Sequence, residues 1–256
     1  MSHLLYELPS PAIIAHRGAS KYAPENTLAA FEASIRQGVD GVELDARLTA
    51  DGSVVVLHDA TVDHTTNGTG KVSQLTLAAL QELDAGSHFG PQFQGESIPT
   101  LEEAFETLGR QLLINVELKD LTTRSDALAE KVALIVKRHH LEKHVLFSSF
   151  NPLALRAARR YAPEVPAGLL FPKGGLACWL GSLAASRFAC DTLHPHFSDI
   201  SPQFVERTHQ DRQRVLAYTV NAAADLRRLI AMEVDGIITD DPLLAQSVLE
   251  KVNARP

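Results

Sequence analysis

Cysteine is almost missing from this chain: Cys178 and Cys190 are the two thiols in 256 residues. Two thiols without C-x-x-C spacing cannot build a disulfide framework, and they disfavour a thiolate zinc centre. Both read as small core residues in a reduced compartment. Clustered Lys and Arg are missing too, since Arg159-Arg160 and Arg227-Arg228 are isolated doublets. With a net charge of −7, no nucleic-acid partner is expected, because phosphate backbones are held by grouped cations. No apolar run is long enough to span a bilayer, so stable membrane insertion is not expected. The opening MSHLLYELPSPAII lacks a basic segment before an apolar core and is broken by Pro9 and Pro11. It does not read as a signal peptide, and a soluble cytoplasmic protein is the expectation. No Gly-x-Gly-x-x-Gly follows the first apolar run, so the dinucleotide-binding fingerprint is absent.

What the chain does have is alternation. Its 45% hydrophobic and 21% charged content suits a globular chain, and short apolar runs alternate with helical patterns from residue 12 to the end. AIIAHRG is followed by PENTLAAFEASIRQG, which opens at Pro24 and closes at Gly38 as a helix should. VELDARLT, QLLINVELK, HVLFSSF, VPAGLLFP, CDTLHPHF, RVLAYTVN and DGIITDD then recur as strands, with helices expected near 99–109, 124–140, 152–160, 176–187, 202–210, 222–232 and 242–252. Eight strands each followed by a helix is the count of an α/β (β/α)₈ TIM barrel. The stretch from about 60 to 98, rich in Gly, Thr, Asn and Ser, interrupts the rhythm. It reads as a small inserted cap segment after the second-strand hairpin, and insertions of that length are usually functional. No linker divides residues 1–256, so a single barrel domain is expected.

Gly41 to Asp59, GVELDARLTADGSVVVLHD, carries the densest chemistry. Asp51-Gly52 between two β-rich runs signals a hairpin. A two-residue loop would set Ala50 opposite Ser53 and, counting outward, Asp45 opposite His58. In a barrel of this kind the reacting groups sit at the C-terminal ends of the strands. His16 and Arg17 end the first strand, Glu43 and Asp45 lie late in the second, and Glu117 and Lys119 end the third. Period-two alternation sends Val116 and Leu118 outward and Asn115, Glu117 and Lys119 into the lumen. Glu43, Asp45 and Glu117 form an oxygen-only set that suits one hard divalent cation, Mg²⁺ or Ca²⁺. The competing reading is a metal-free ion-pair network of these carboxylates with Arg17, Arg47 and Lys119. His16 and His58 reach the same mouth and suit an acid–base pair. Arg17 and Lys119 supply positive charge for a phosphate or oxyanion. Together these groups describe phosphoryl transfer to water or to a neighbouring hydroxyl.

HRGASKYAPENT at 16–27, ELDARLTADGSVVVLHD at 43–59, TTNGTG at 65–70, VELK at 116–119, SSF at 148–150, YTVN at 218–221 and DGIITDDP at 235–242 resemble the glycerophosphodiester phosphodiesterases. The resemblance runs along nearly the whole chain, and within the family it is nearest the cytosolic bacterial branch linked to glycerol-phosphate uptake. It implies that Glu43, Asp45 and Glu117 hold the divalent ion, that His16 and His58 are the acid–base pair, and that Arg17 and Lys119 bind phosphate. The implied reaction is metal-dependent hydrolysis of small-molecule glycerophosphodiesters, such as glycerophosphocholine or glycerophosphoethanolamine, to an alcohol and sn-glycerol 3-phosphate. Attack by water and attack by the glycerol hydroxyl through a cyclic phosphate both remain open.

Glu25 and Asn26 match the family and also stand where a helix cap would. Tyr218 stands where some relatives carry Trp. His194 and His196 share a face at the end of the sixth barrel strand, either lining the pocket rim or exposed to water. Two other functions fit the fold: a phospholipase of the C or D type, and a barrel that binds phosphorylated ligands without turnover. The first needs a membrane-docking surface, for which the insertion offers only Phe89 and Phe93 as bulky apolar residues. The second has no use for an acid–base pair.

Overall fold

The computed structural model describes residues 2–119, 126–174 and 190–254. Among these residues nine strands form one sheet: β1 (Ala12–His16), β2 (Gly41–Leu48), β3 (Val54–Val56), β4 (Leu113–Leu118), β5 (Val145–Ser149), β6 (Ala167–Phe171), β7 (Thr192–Pro195), β8 (Arg214–Ala217) and β9 (Gly236–Thr239). They lie in the order β1-β9-β8-β7-β6-β5-β4-β2-β3, and β1 also pairs with β2. That extra pairing closes eight parallel strands into a barrel and leaves β3 outside as the antiparallel return of β2. The (β/α)₈ TIM barrel expected from the alternation is the observed fold. Helices follow the strands as α1 (Leu28–Arg36), α2 (Leu77–Gln81), α3 (Leu101–Leu108), α4 (Ala127–Arg138), α5 (Pro152–Tyr161), α6 (Pro202–Gln210), α7 (Ala223–Ala231) and α8 (Pro242–Asn253). The helix expected at 176–187, with Cys178, lies outside the described residues. No described helix is long and apolar enough to cross a membrane.

Strand alternation divides the interior into two layers. Val42, Leu44, Val116, Leu118 and Phe147 point outward and pack with Phe31 of α1, Phe105 of α3, Val132 of α4 and Leu155 of α5. The alternate residues fill the lumen. Its lower part is apolar, with Ile14, Leu113, Leu146, Leu216 and Ile238 closed from below by Leu5 of an N-terminal 3₁₀ turn. Burying a leucine such as Leu5, 1% exposed, stabilises the fold by about 1.5–3 kcal/mol. The upper lumen is polar, which puts the chemistry at the strands' C-terminal ends.

Two local expectations are corrected. The helix expected from Pro24 begins only at Leu28, and Thr27 is its cap, with Oγ1 accepting from the Ala30 N–H. Asn26 is left-handed at φ 57°, so the preceding turn aims the side chains of Glu25 and Asn26 away from the helix. The hairpin loop holds three residues, not two. Thr49 faces Ser53 through an N–H···O bond of 3.0 Å, and Gly52 donates to the Thr49 carbonyl at 3.1 Å. Gly52 adopts φ 79°, the left-handed conformation such a loop requires and glycine tolerates. The pairs are therefore Ala46 with Val56, Arg47 with Val55 and Leu48 with Val54. A one-residue shift sends side chains to the opposite face, so Asp45 meets Leu57, whose N–H donates to its carbonyl at 2.9 Å. The expected pairing of Asp45 with His58 does not occur. The segment after the hairpin builds its own small core of Val62, Val72, Leu80, Ala85 and Ile98 against Val55 and Leu57.

Candidate active site

At the C-terminal mouth a cavity of about 480 Å³, including its open entrance, is lined by His16, Arg17, Glu43, His58, Glu117 and Lys119, with Asn115, Ser148, Phe150 and Tyr218 among the other walls. Strand register explains the gathering: His16 lies beside Glu43, and Asp45 beside Glu117. One carboxylate oxygen from each of Glu43, Asp45 and Glu117 falls within 4.8 Å of the other two. All three residues are buried. Lys119 Nζ lies 2.9 Å from Glu117 and 3.3 Å from Asp45. Arg17 reaches Glu25 at 2.9 Å and approaches Asp45 at 3.6 Å, while its backbone N–H donates to Glu43 at 3.0 Å. Arg17 holds φ 57°, a strained conformation for a non-glycine residue of the kind that clusters at functional sites.

The electrostatics follow from this crowding. Burial pushes the Glu43 carboxyl well above its usual range, and the charges of Asp45 and Glu117 add to the push. Burial, then Asp45, pushes Glu117 up to about 7. Asp45 is equally buried, yet Lys119 and Arg17 overcome that burial and hold it down to about 2. Like charges in a shared site push their pKa values apart in this way. Arg47 stands outside the cluster. Its guanidinium donates to the His58 carbonyl, through Nε at 3.0 Å, so it pins the hairpin's end and does not complete the ion-pair network.

Each histidine is held at Nδ1 by a carboxylate. His16 Nδ1 lies 2.6 Å from Asp240 Oδ1, and His58 Nδ1 lies 2.8 Å from Asp59 Oδ1. A carboxylate only accepts, so Nδ1 carries the proton in both rings and Nε2 is left for chemistry. His16 Nε2 lies 4.0 Å from Glu43. Burial lowers the His58 pKa, which Asp45 opposes in part. Ser20 Oγ and Asn221 Nδ2 also donate to Asp240, and Asn221 Oδ1 accepts from the Asp240 N–H. Asp240 therefore cannot swing away from His16 without breaking several bonds.

All seven sequence-predicted site residues meet here, and His58 does so despite the changed register. Glu25 and Asn26 join them as supports: Asn26 Nδ2 donates to Asp45 Oδ2 at 2.8 Å. His194 does not line the cavity. It is 0% exposed, deeper in the barrel, with Nε2 2.8 Å from Thr192 Oγ1. His196 lies at the strand end against Phe197 and Tyr218, and Tyr218 forms a wall of the cavity with its hydroxyl donating to the Phe171 carbonyl. Asp240 was missed in the sequence, although a carboxylate ending the last barrel strand obeys the rule that singled out the others. Asn221 offered no comparable signal.

Comparison with known proteins agrees with this geometry. Residues 16–244 match the glycerophosphoryl diester phosphodiesterase family. A glycerophosphodiester phosphodiesterase of Caldanaerobacter subterraneus is 44% identical over 231 residues, covering 90% of this chain and 94% of its own. The solved structure of an Oleispira antarctica phosphodiesterase in complex with the product sn-glycerol-3-phosphate superposes with a TM-score of 0.88 at 34% identity, over 96% of this chain and 99% of that one. A glycerophosphodiester phosphodiesterase from Agrobacterium tumefaciens superposes with a TM-score of 0.80 at 30% identity, covering 93% of this chain and 99% of its own. With a closed barrel, an acidic cluster flanked by two histidines, and matches along nearly its whole length, the chain belongs to the glycerophosphoryl diester phosphodiesterase family of enzymes.

Proposed function

We propose that this chain hydrolyses small-molecule glycerophosphodiesters, such as glycerophosphocholine and glycerophosphoethanolamine, to an alcohol and sn-glycerol 3-phosphate in the cytoplasm. The observation that carries the reading is the pair of imidazoles, each oriented through Nδ1 by a carboxylate, beside the same buried acidic cluster. A binding protein needs no such pair.

Glu43, Asp45 and Glu117 suit a hard divalent cation, Mg²⁺ or Ca²⁺. Among the described residues Asp45 Oδ1 is a buried acceptor without a hydrogen-bond donor, with the Lys119 ammonium 3.3 Å away. When bound, such a cation supplies Lewis-acid stabilisation of phosphoryl charge. Lys119 and Arg17, which stand beside the same carboxylates, would bind phosphoryl oxygens. One neutral imidazole takes the proton of the attacking hydroxyl at Nε2, and the other, protonated at both ring nitrogens, gives its Nε2 proton to the departing alcohol oxygen. The proton count of this step is the same whether the nucleophile is water or the substrate's own hydroxyl, and in the second case water then opens the cyclic phosphate with the two roles exchanged.

The test is release of sn-glycerol 3-phosphate from glycerophosphocholine, with EDTA and with Mg²⁺ or Ca²⁺ restored. Turnover should vanish and return with the metal. His16→Ala and His58→Ala should each abolish turnover, by about 10²-fold or more, while binding of sn-glycerol 3-phosphate survives. Absence of turnover under every metal condition, or cleavage of phosphatidylcholine vesicles in preference to glycerophosphocholine, would overturn the proposal.

A further inference from the structure

Two polar side chains on the inner wall of the cavity have no use in the acid–base scheme. Asn115 is 1% exposed and Ser148 is 0% exposed, and both line the cavity. Among the described residues, Asn115 Oδ1, Asn115 Nδ2 and Ser148 Oγ each lack a hydrogen-bond partner. Such groups are expensive to bury unpaired. The neighbouring Ser149 shows the usual solution, since its Oγ donates to the Leu118 carbonyl at 2.8 Å. Ser148 takes the opposite face of β5 by strand alternation and is left pointing into the lumen.

Register places them around the reacting cluster. Asn115 lies beside Glu43 on the adjoining strand, and Ser148 lies beside Glu117. Asn115 also sits two residues before Glu117 on β4, roughly 7 Å deeper in the barrel. Leu170 and Ile238 form apolar parts of the same cavity wall. The cavity thus combines a hydrocarbon surface with an amide and a hydroxyl that together can both donate and accept. The matching ligand has hydroxyls on a short carbon chain. A quaternary ammonium or a plain alkyl group would leave all three atoms unpaired.

We infer that Asn115 and Ser148 are specificity-determining residues that read the hydroxyl groups of the polyol half of the substrate. The inference rests on the proposed function, and it assigns the two residues to substrate selection, separate from metal binding and proton transfer. A polyol phosphate held by the inner wall directs the second ester substituent toward the open mouth, where its identity matters less.

The test compares two ligands of the same metal-loaded protein by calorimetry: sn-glycerol 3-phosphate and n-propyl phosphate, which keeps the phosphate and the three carbons but has no free hydroxyl. The wild type should prefer the glycerol compound by about tenfold or more. Ser148→Ala and Asn115→Leu should each weaken sn-glycerol 3-phosphate by about tenfold and leave n-propyl phosphate and Mg²⁺ within about twofold of the wild type. Ser148→Ala removes a single oxygen and guards against a folding defect in the larger change. Equal weakening of both ligands, loss of Mg²⁺ affinity, or an undiminished preference in both variants would overturn the inference. Turnover of glycerophosphocholine by the wild type in the same preparation separates the two readings: its absence sinks the proposed function, whereas turnover with unchanged selectivity in the variants sinks this assignment alone.

Discussion

His194 should make this protein sensitive to mild acid for a reason unrelated to catalysis. The ring is 0% exposed, Nε2 is engaged by Thr192 at 2.8 Å, and Nδ1 has no partner among the described residues. Burial pushes its pKa down to about 3, from 6.5 for a free histidine. The folded state therefore keeps the ring neutral where the unfolded state protonates it. The unfolded chain binds more protons across that interval, so stability is complete above about pH 6.5 and falls as pH drops toward 3. Each pH unit inside the window costs about 1.4 kcal/mol, which removes about 2 kcal/mol between pH 7 and pH 5. His194→Leu abolishes this titration. Urea unfolding of wild type and variant, followed by far-ultraviolet circular dichroism at both pH values, isolates the effect as a difference of differences. The variant's packing defect is present at both pH values and cancels, as does the opposite contribution of Glu117, whose pKa is pushed up to about 7. The wild type should lose about 2 kcal/mol more than the variant. Parallel losses in the two proteins would refute the reasoning.

Two further outcomes follow from contacts around the same barrel. Asp240→Asn keeps the shape beside His16 but removes the charge that fixes Nδ1 as the donor, so kcat should fall by about 10²-fold or more while sn-glycerol 3-phosphate affinity stays within about twofold; an unchanged kcat would show that Asp240 does not position the imidazole. Gly168→Ala would drive a Cβ into both His194 Nε2 and Thr192 Oγ1, an overpacking that should destabilise by about 1–3 kcal/mol, and an unaltered thermal midpoint would show that the lumen is looser than its contacts suggest.

Periodicity alone placed most of the candidate site. Period-two alternation in INVELK and VELD put Glu117, Lys119, Glu43 and Asp45 on the luminal face, and the barrel rule put His16 and Arg17 at the same end. Local turn chemistry was less secure. Asp51-Gly52 signalled a hairpin correctly, but the dipeptide does not state how many residues the loop holds, and the third residue altered every partner of β3. Asn26 looked like a helix cap because caps and luminal supports use the same side chain. Thr27, one residue on, had the geometry to take the cap.

The sequence by itself determined the alternation of eight barrel strands with helices, the polar residues at strand ends and the two-faced character of each strand, because these are written in spacing along a few residues. Only the tertiary structure decided which of those residues meet. The bond between His16 and Asp240 spans 224 positions and exists because β1 closes the barrel against β9. The burial that silences His194 and lifts Glu117 depends on that closure too, since desolvation is a property of the assembled lumen and not of any segment within it.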